Sequence, residues 1–116
     1  MMDSKSQQAL DNLVSIHQLH KEPPDQVEFD GLLTMAKHRL HDAQLVGLST
    51  DSQFTLAYSA AHSLALAALR WHGYRADNRF LVFQSLQHTL GLPATQWRVF
   101  DACHHRRNVA EYEVRN

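Results

Sequence analysis

The stretch from Ser49 to Trp71 contains no Gly or Pro and is apolar nearly all round. Phe54, Leu56, Tyr58, Leu64, Leu66 and Leu69 are interleaved with Ala57, Ala60, Ala61, Ala65, Ala67 and Ala68. It is too long for an ordinary strand and shows no period-two alternation, so it predicts a helix. An apolar surface on every side predicts a central, buried helix. Its small residues let neighbouring elements approach closely. A chain organised around such an element is expected to be an all-α bundle.

Gly and Pro divide the rest. Breaks fall at Pro23-Pro24, Gly47, Gly73 and Gly91-Leu92-Pro93. Before the first break, residues from about Ser4 to His20 carry Leu10, Leu13, Val14 and His17 at helical spacing. From about Asp25 to Val46, the residues Phe29, Leu32, Leu33, Ala36, Leu40 and Ala43 form one stripe. Lys37, His38, His41 and Asp42 lie off it, and Asp25 is the expected N-cap. Ser49-Thr50-Asp51-Ser52 is the capping run of the central helix. A fourth helix is expected from about Asn78 to Leu90, capped by Asp77, with Val82, Phe83, Leu86 and Leu90 inward. A fifth runs from Pro93 or Thr95 to Val114, with Trp97, Phe100, Cys103, Ala110 and Val114 as its apolar set. The expected architecture is one domain over residues 1–116: an antiparallel bundle of four main helices plus the N-terminal one.

Composition limits the function. The 116 residues suffice for one domain, and 44% are hydrophobic. Eleven basic and 12 acidic residues give a net charge of −1, unlike a DNA-coating protein or an acidic disordered tail. Cys103 is the single cysteine, which excludes an intrachain disulfide and a Cys-based zinc cluster. No apolar run approaches a membrane span, and MMDSKSQQAL lacks a signal-peptide core, so a small cytoplasmic protein is expected.

Nine histidines stand out. His38/His41 and His17/His20 have i,i+3 spacing, which suits two metal ligands, but neither pair has a third. His-Glu-x-x-His and Glu-x-x-His are both missing, so no metal or other cofactor is expected. His62 is expected at the edge of the core. Cys103 and His104 are adjacent, so on a helix they diverge and form no dyad.

The last helix is the richest in chemistry. His104 to Asn108 is an unbroken polar or cationic run, and Arg98, Asp101, His105, Asn108 and Tyr112 form a polar stripe. Arginine offers a planar fork of donors that fits phosphate, and histidine moves protons near neutral pH. These groups suit binding or cleavage of a phosphodiester. The plainer expectation is a solvated face held by Arg98–Asp101 and Arg107–Glu111 ion pairs.

Three segments together resemble the HEPN family (higher eukaryotes and prokaryotes nucleotide-binding). Residues Leu56 to Arg70, ending at Gly73-Tyr74, look like its second core helix. The stretch from Met35 to Ala43, MAKHRLHDA, looks like its first, and Arg107-Asn108-Val109-Ala110-Glu111-Tyr112 like the ending of its last helix. The resemblance covers about residues 27–114. It implies a four-to-five-helix bundle, often a homodimer with an arginine lining a cleft between protomers. Many members are ribonucleases, often toxins paired with a small nucleotidyltransferase antitoxin, whose motif is Arg, four to six residues, then His. Here no His follows Arg106 and Arg107; Glu111 and Tyr112 stand in its place. That departure implies a non-catalytic or degenerate branch binding a nucleotide or RNA phosphate through Arg106, Arg107, Asn108, Glu111 and Tyr112. Arg98 with His104 or His105 keeps the bare spacing, so a metal-independent ribonuclease is the alternative. A structural interaction module is the third reading.

Overall fold

A computed structural model gives the fold; it describes the backbone of residues 2–115 and the side chains of residues 2–103, 105 and 106. The helices are α1 (Ser4–Ser15), α2 (Gln26–Ala43), α3 (Thr50–Trp71), α4 (Arg79–Gln84), α5 (Leu86–Thr89) and α6 (Ala94–Arg115). A short antiparallel ribbon joins β1 (Leu19–Lys21) to β2 (Tyr74–Ala76), with Leu19 opposite Ala76 and Lys21 opposite Tyr74. The protein is therefore mostly helical with one small two-stranded sheet.

Local chemistry sets the boundaries. Asp25 caps α2 by accepting from the Glu28 amide at 2.9 Å, as expected. Ser49 caps α3 by accepting from the Ser52 amide at 3.1 Å. The N-terminal helix stops at Ser15 instead of reaching His20. The Gln18 amide bonds the Leu13 carbonyl and the His17 amide the Val14 carbonyl, a Schellman termination. His17 occupies its left-handed position, at φ 63°, where glycine is usual. The chain then enters β1, so His17 and His20 share no helical face. Asn78, not Asp77, caps α4: its Oδ1 accepts from the Leu81 amide at 2.9 Å. Asp77 instead pairs with His20 at 2.6 Å. The expected fourth helix is two short ones meeting at Ser85, and Leu90 faces outward with 60% of its surface exposed.

Two apolar clusters share α3. Leu10, Leu19, Leu69, Tyr74 and Leu81 join α1 and the ribbon to its C-terminal half. Tyr58, Ala65, Val82, Phe83, Leu86 and Trp97 join its middle to α4, α5 and α6, with Phe100 and Cys103 packed alongside. Cys103 is thus a packing residue, as its spacing suggested. Phe83 stacks on Phe100 at 5.5 Å and receives Tyr58 and His62 edge-on, each at 5.8 Å.

The central helix is not covered on every side. Only Ala36 of α2 is fully buried, and Leu64 and Trp71 of α3 remain 43% and 55% exposed. With Phe29, Leu33, Ala67, Ala68, His72 and Leu90 they line an apolar groove of about 470 Å³. The radius of gyration is 15.1 Å, against about 13 Å for a compact chain of this length.

Candidate functional site

Two sets of arginines have opposite surroundings. Arg70 closes α3 and is 2% exposed. Its Nε donates to Glu28 Oε1 at 2.5 Å, Nη1 to the carbonyls of Glu22 (2.9 Å) and Tyr74 (3.3 Å), and Nη2 to the Pro23 carbonyl at 2.7 Å. Arg75, on β2, donates to Glu22 and Glu28 at 2.6–2.9 Å. The two arginines and two glutamates pin the Pro23-Pro24 segment and α2 to the end of α3. Gly73 lets the chain turn here: its φ is +87°, a left-handed conformation that favours glycine, while a side chain there would meet the Glu22 carbonyl only at an ordinary 3.7 Å. Hydrogen bonds from Arg70 and then Arg75 hold the Glu28 carboxyl below its ordinary value, and Arg75 does the same for Glu22. These four charges neutralise one another, with Arg70 buried and the other three partly exposed. The sequence did carry a signal for them. A lone arginine in an apolar helix needs acceptors when buried, and Glu22 and Glu28 flank the diproline.

Helix α6 presents the other set. Trp97 is buried and meets Phe80 edge-on at 5.9 Å, which fixes the helix on α4. Arg98 is exposed, with its guanidinium carbon 5.5 Å from the Trp97 ring centre. His105 is exposed one face-repeat later, about 10 Å along the axis. Asp101 lies between them, half-buried. The expected Arg98–Asp101 ion pair is not formed: among the described residues no salt bridge involves Arg98, Asp101, His105 or Arg106. Arg106 is exposed and reaches α3, 5.3 Å from the ring centre of Phe54.

The side chains of His104, Arg107, Asn108, Glu111 and Tyr112 lie outside the described residues. Their backbone belongs to α6, which runs through this segment without a break. Arg98 and His105 share a face of α6; Arg106 lies about 80° round from Arg98 and turns to α3. Among the described residues no group of three or more His, Cys, Asp or Glu side chains is arranged to hold a metal ion. Among the same residues, no helix is long and apolar enough to cross a membrane. No protein-family model, curated protein or solved structure matches the chain.

Proposed function

We propose that the chain is a HEPN-like helical bundle that binds a nucleotide or RNA phosphate through α6. The supporting observation is a set of basic side chains without carboxylate partners: Arg98, His105 and Arg106 are exposed on α6, and among the described residues none is in a salt bridge. An arginine with acceptors on all three nitrogens, as Arg70 has, keeps no donor edge for phosphate; Arg98 and Arg106 have no carboxylate partner among the described residues. Arg106, Arg107, Asn108, Glu111 and Tyr112 form the proposed binding segment, with Glu111 one turn beyond Arg107 to orient its guanidinium. By the same resemblance, the proposed protein partner is a small nucleotidyltransferase antitoxin. The proposed assembly is a homodimer, supported by the open apolar groove at Leu64, Trp71 and Leu90.

Fluorescence anisotropy with a labelled single-stranded oligoribonucleotide at low salt tests this function. Arg107→Ala is expected to weaken binding about tenfold or more, as loss of a charge-assisted contact does. Failure of the unaltered protein to bind RNA or mononucleotides would refute the reading. Sedimentation checks the assembly: a single 13.3 kDa species at micromolar concentration would refute the dimer.

A second reading is a metal-independent ribonuclease, favoured by Arg98 and His105 sharing one exposed face of α6. His105 would take the 2′-hydroxyl proton as that oxygen bonds to phosphorus, the P–O5′ bond would break with the 5′-oxygen taking a proton from water, and Arg98 would stabilise charge on the phosphate. RNA cleavage lost in both Arg98→Ala and His105→Ala, with RNA binding retained, is its distinguishing result.

A further inference from the structure

We propose that Arg79 and Arg106, laid over successive rings of α3, form a two-phosphate rail for one RNA strand, and that the cleft beside Arg79 takes a base. This rests on the RNA-binding reading above and adds a residue, a path and a base site to it.

Phe54 and Tyr58 are one turn apart on α3, about 6 Å along its axis. Arg106 reaches Phe54 from α6, and Arg79 reaches Tyr58 from α4. The guanidinium carbons lie 5.3 and 5.5 Å from the two ring centres. Arg79 Nη1 also donates to Tyr58 Oη at 3.3 Å. Among the described residues neither arginine is in a salt bridge. A ring face orients a guanidinium without neutralising it, and it leaves N–H donors at the edge. The rings beneath the two cations are one helical turn apart, a spacing on the scale of neighbouring phosphates along an extended strand. Both cations are pre-ordered, which lowers the entropy lost on binding.

The cleft lies at the Arg79 end of this row. It holds about 210 Å³ between His62 and Leu66 of α3 and Ala76, Asp77, Asn78 and Val82. That is below the roughly 300–1,000 Å³ of sites for whole drug-sized ligands, so one ring system is what fits. Val82 is buried and Leu66 half-buried, while Asp77 and Asn78 are exposed. Asn78 uses its Oδ1 to cap α4, which leaves its amide N–H groups as donors. Asp77 gives Oδ2 to His20 and keeps Oδ1 as an acceptor. Arg75 and Arg79 complete a largely polar lining, and a cleft with Leu66 and Val82 on one side and a donor and an acceptor at its rim suits the edge of an unstacked base.

The test measures the salt dependence of oligoribonucleotide binding by the full chain. For a single strand, each phosphate contact contributes about 0.7 to the slope of log affinity against log salt. Arg79→Met and Arg106→Met are each expected to lower the slope by about that amount and to weaken binding several-fold. Arg39→Met, which removes a charge that bonds only Ser59 among the described residues, is expected to change neither. Binding by the unaltered protein with an unchanged slope in Arg79→Met would overturn the rail and leave the RNA-binding reading standing. No binding by the unaltered protein would overturn both. Arg106 is exposed, so its variant will fold; should Arg79→Met not fold, Arg79→Gln is read in its place. Competition by mononucleotides, but not by ribose 5-phosphate, is expected of the base cleft. Equal competition by both would overturn it.

Discussion

The Arg70–Arg75 knot and the Arg79–Arg106 face use the same side chain for opposite ends. In the knot, buried Arg70 has carboxylate or carbonyl acceptors on all three of its nitrogens. On the face, each guanidinium lies over an aromatic ring, with no carboxylate partner among the described residues. The first arrangement fixes three chain segments together and has nothing left for a ligand. The second adds little to stability and leaves charge available. Counting arginines in the sequence cannot separate these; what separates them is whether glutamates arrive from elsewhere in the chain.

Breaking the knot should give the largest effect. Arg70→Ala removes the donor to Glu28 Oε1 and to three backbone carbonyls, while Arg75 still holds Glu28 Oε2. We expect a loss of about 3 kcal/mol in urea unfolding, at the lower end for broken buried pairs because the glutamates are partly exposed. Arg75→Ala should cost about 1 kcal/mol or less, since Arg75 is itself a third exposed.

Acid is the next way to separate the two regions. Both glutamates have folded-state values below the ordinary 4.5, so the unfolded chain takes up protons first as pH falls. Their contribution is therefore complete above about pH 4.5 and disappears as pH drops through the lowered values. Melting temperatures between pH 7 and pH 3 should show this loss, and Arg75→Ala should show less of it. A smaller decline should start near pH 6.5, because burial holds His72 and His88 below that value and unfolding lets them protonate.

How far this contrast could be read in advance follows from the range of each interaction. The five helical stretches were legible because Gly and Pro punctuate them and their apolar residues recur on one face. The Asp25 and Ser49 caps were legible because a cap acts within three residues. The ribbon was not, since three residues per strand are too few to show alternation. The end of α1 was hidden because His17 takes a position that glycine would have announced. Asp77 and Asn78 are adjacent, and His20, far away in sequence, takes the first and leaves the second as cap. Arg70 and Glu28 are 42 residues apart, so no local pattern joins them. Of the candidate site, the exposed Arg98 and His105 were legible on the polar stripe of α6, and Arg106 in the run from His104 to Asn108. Arg79 was not, because its partner Tyr58 lies on another helix.

On the face itself, effects on stability should be smallest. Arg106→Ala removes one exposed ring contact and should change unfolding by less than about 0.5 kcal/mol. Arg98→Ala should be equally mild, because no ion pair with Asp101 exists to be lost.

The most direct measurement places both regions in one experiment: thermal unfolding and oligoribonucleotide affinity for Arg70→Ala and Arg106→Ala under the same buffer. We predict a lower melting temperature with RNA affinity retained, below the transition, for Arg70→Ala. For Arg106→Ala we predict an unchanged melting temperature with RNA affinity reduced several-fold. RNA affinity unchanged in Arg106→Ala, or a melting temperature unchanged in Arg70→Ala, would contradict the division of arginines between fold and ligand.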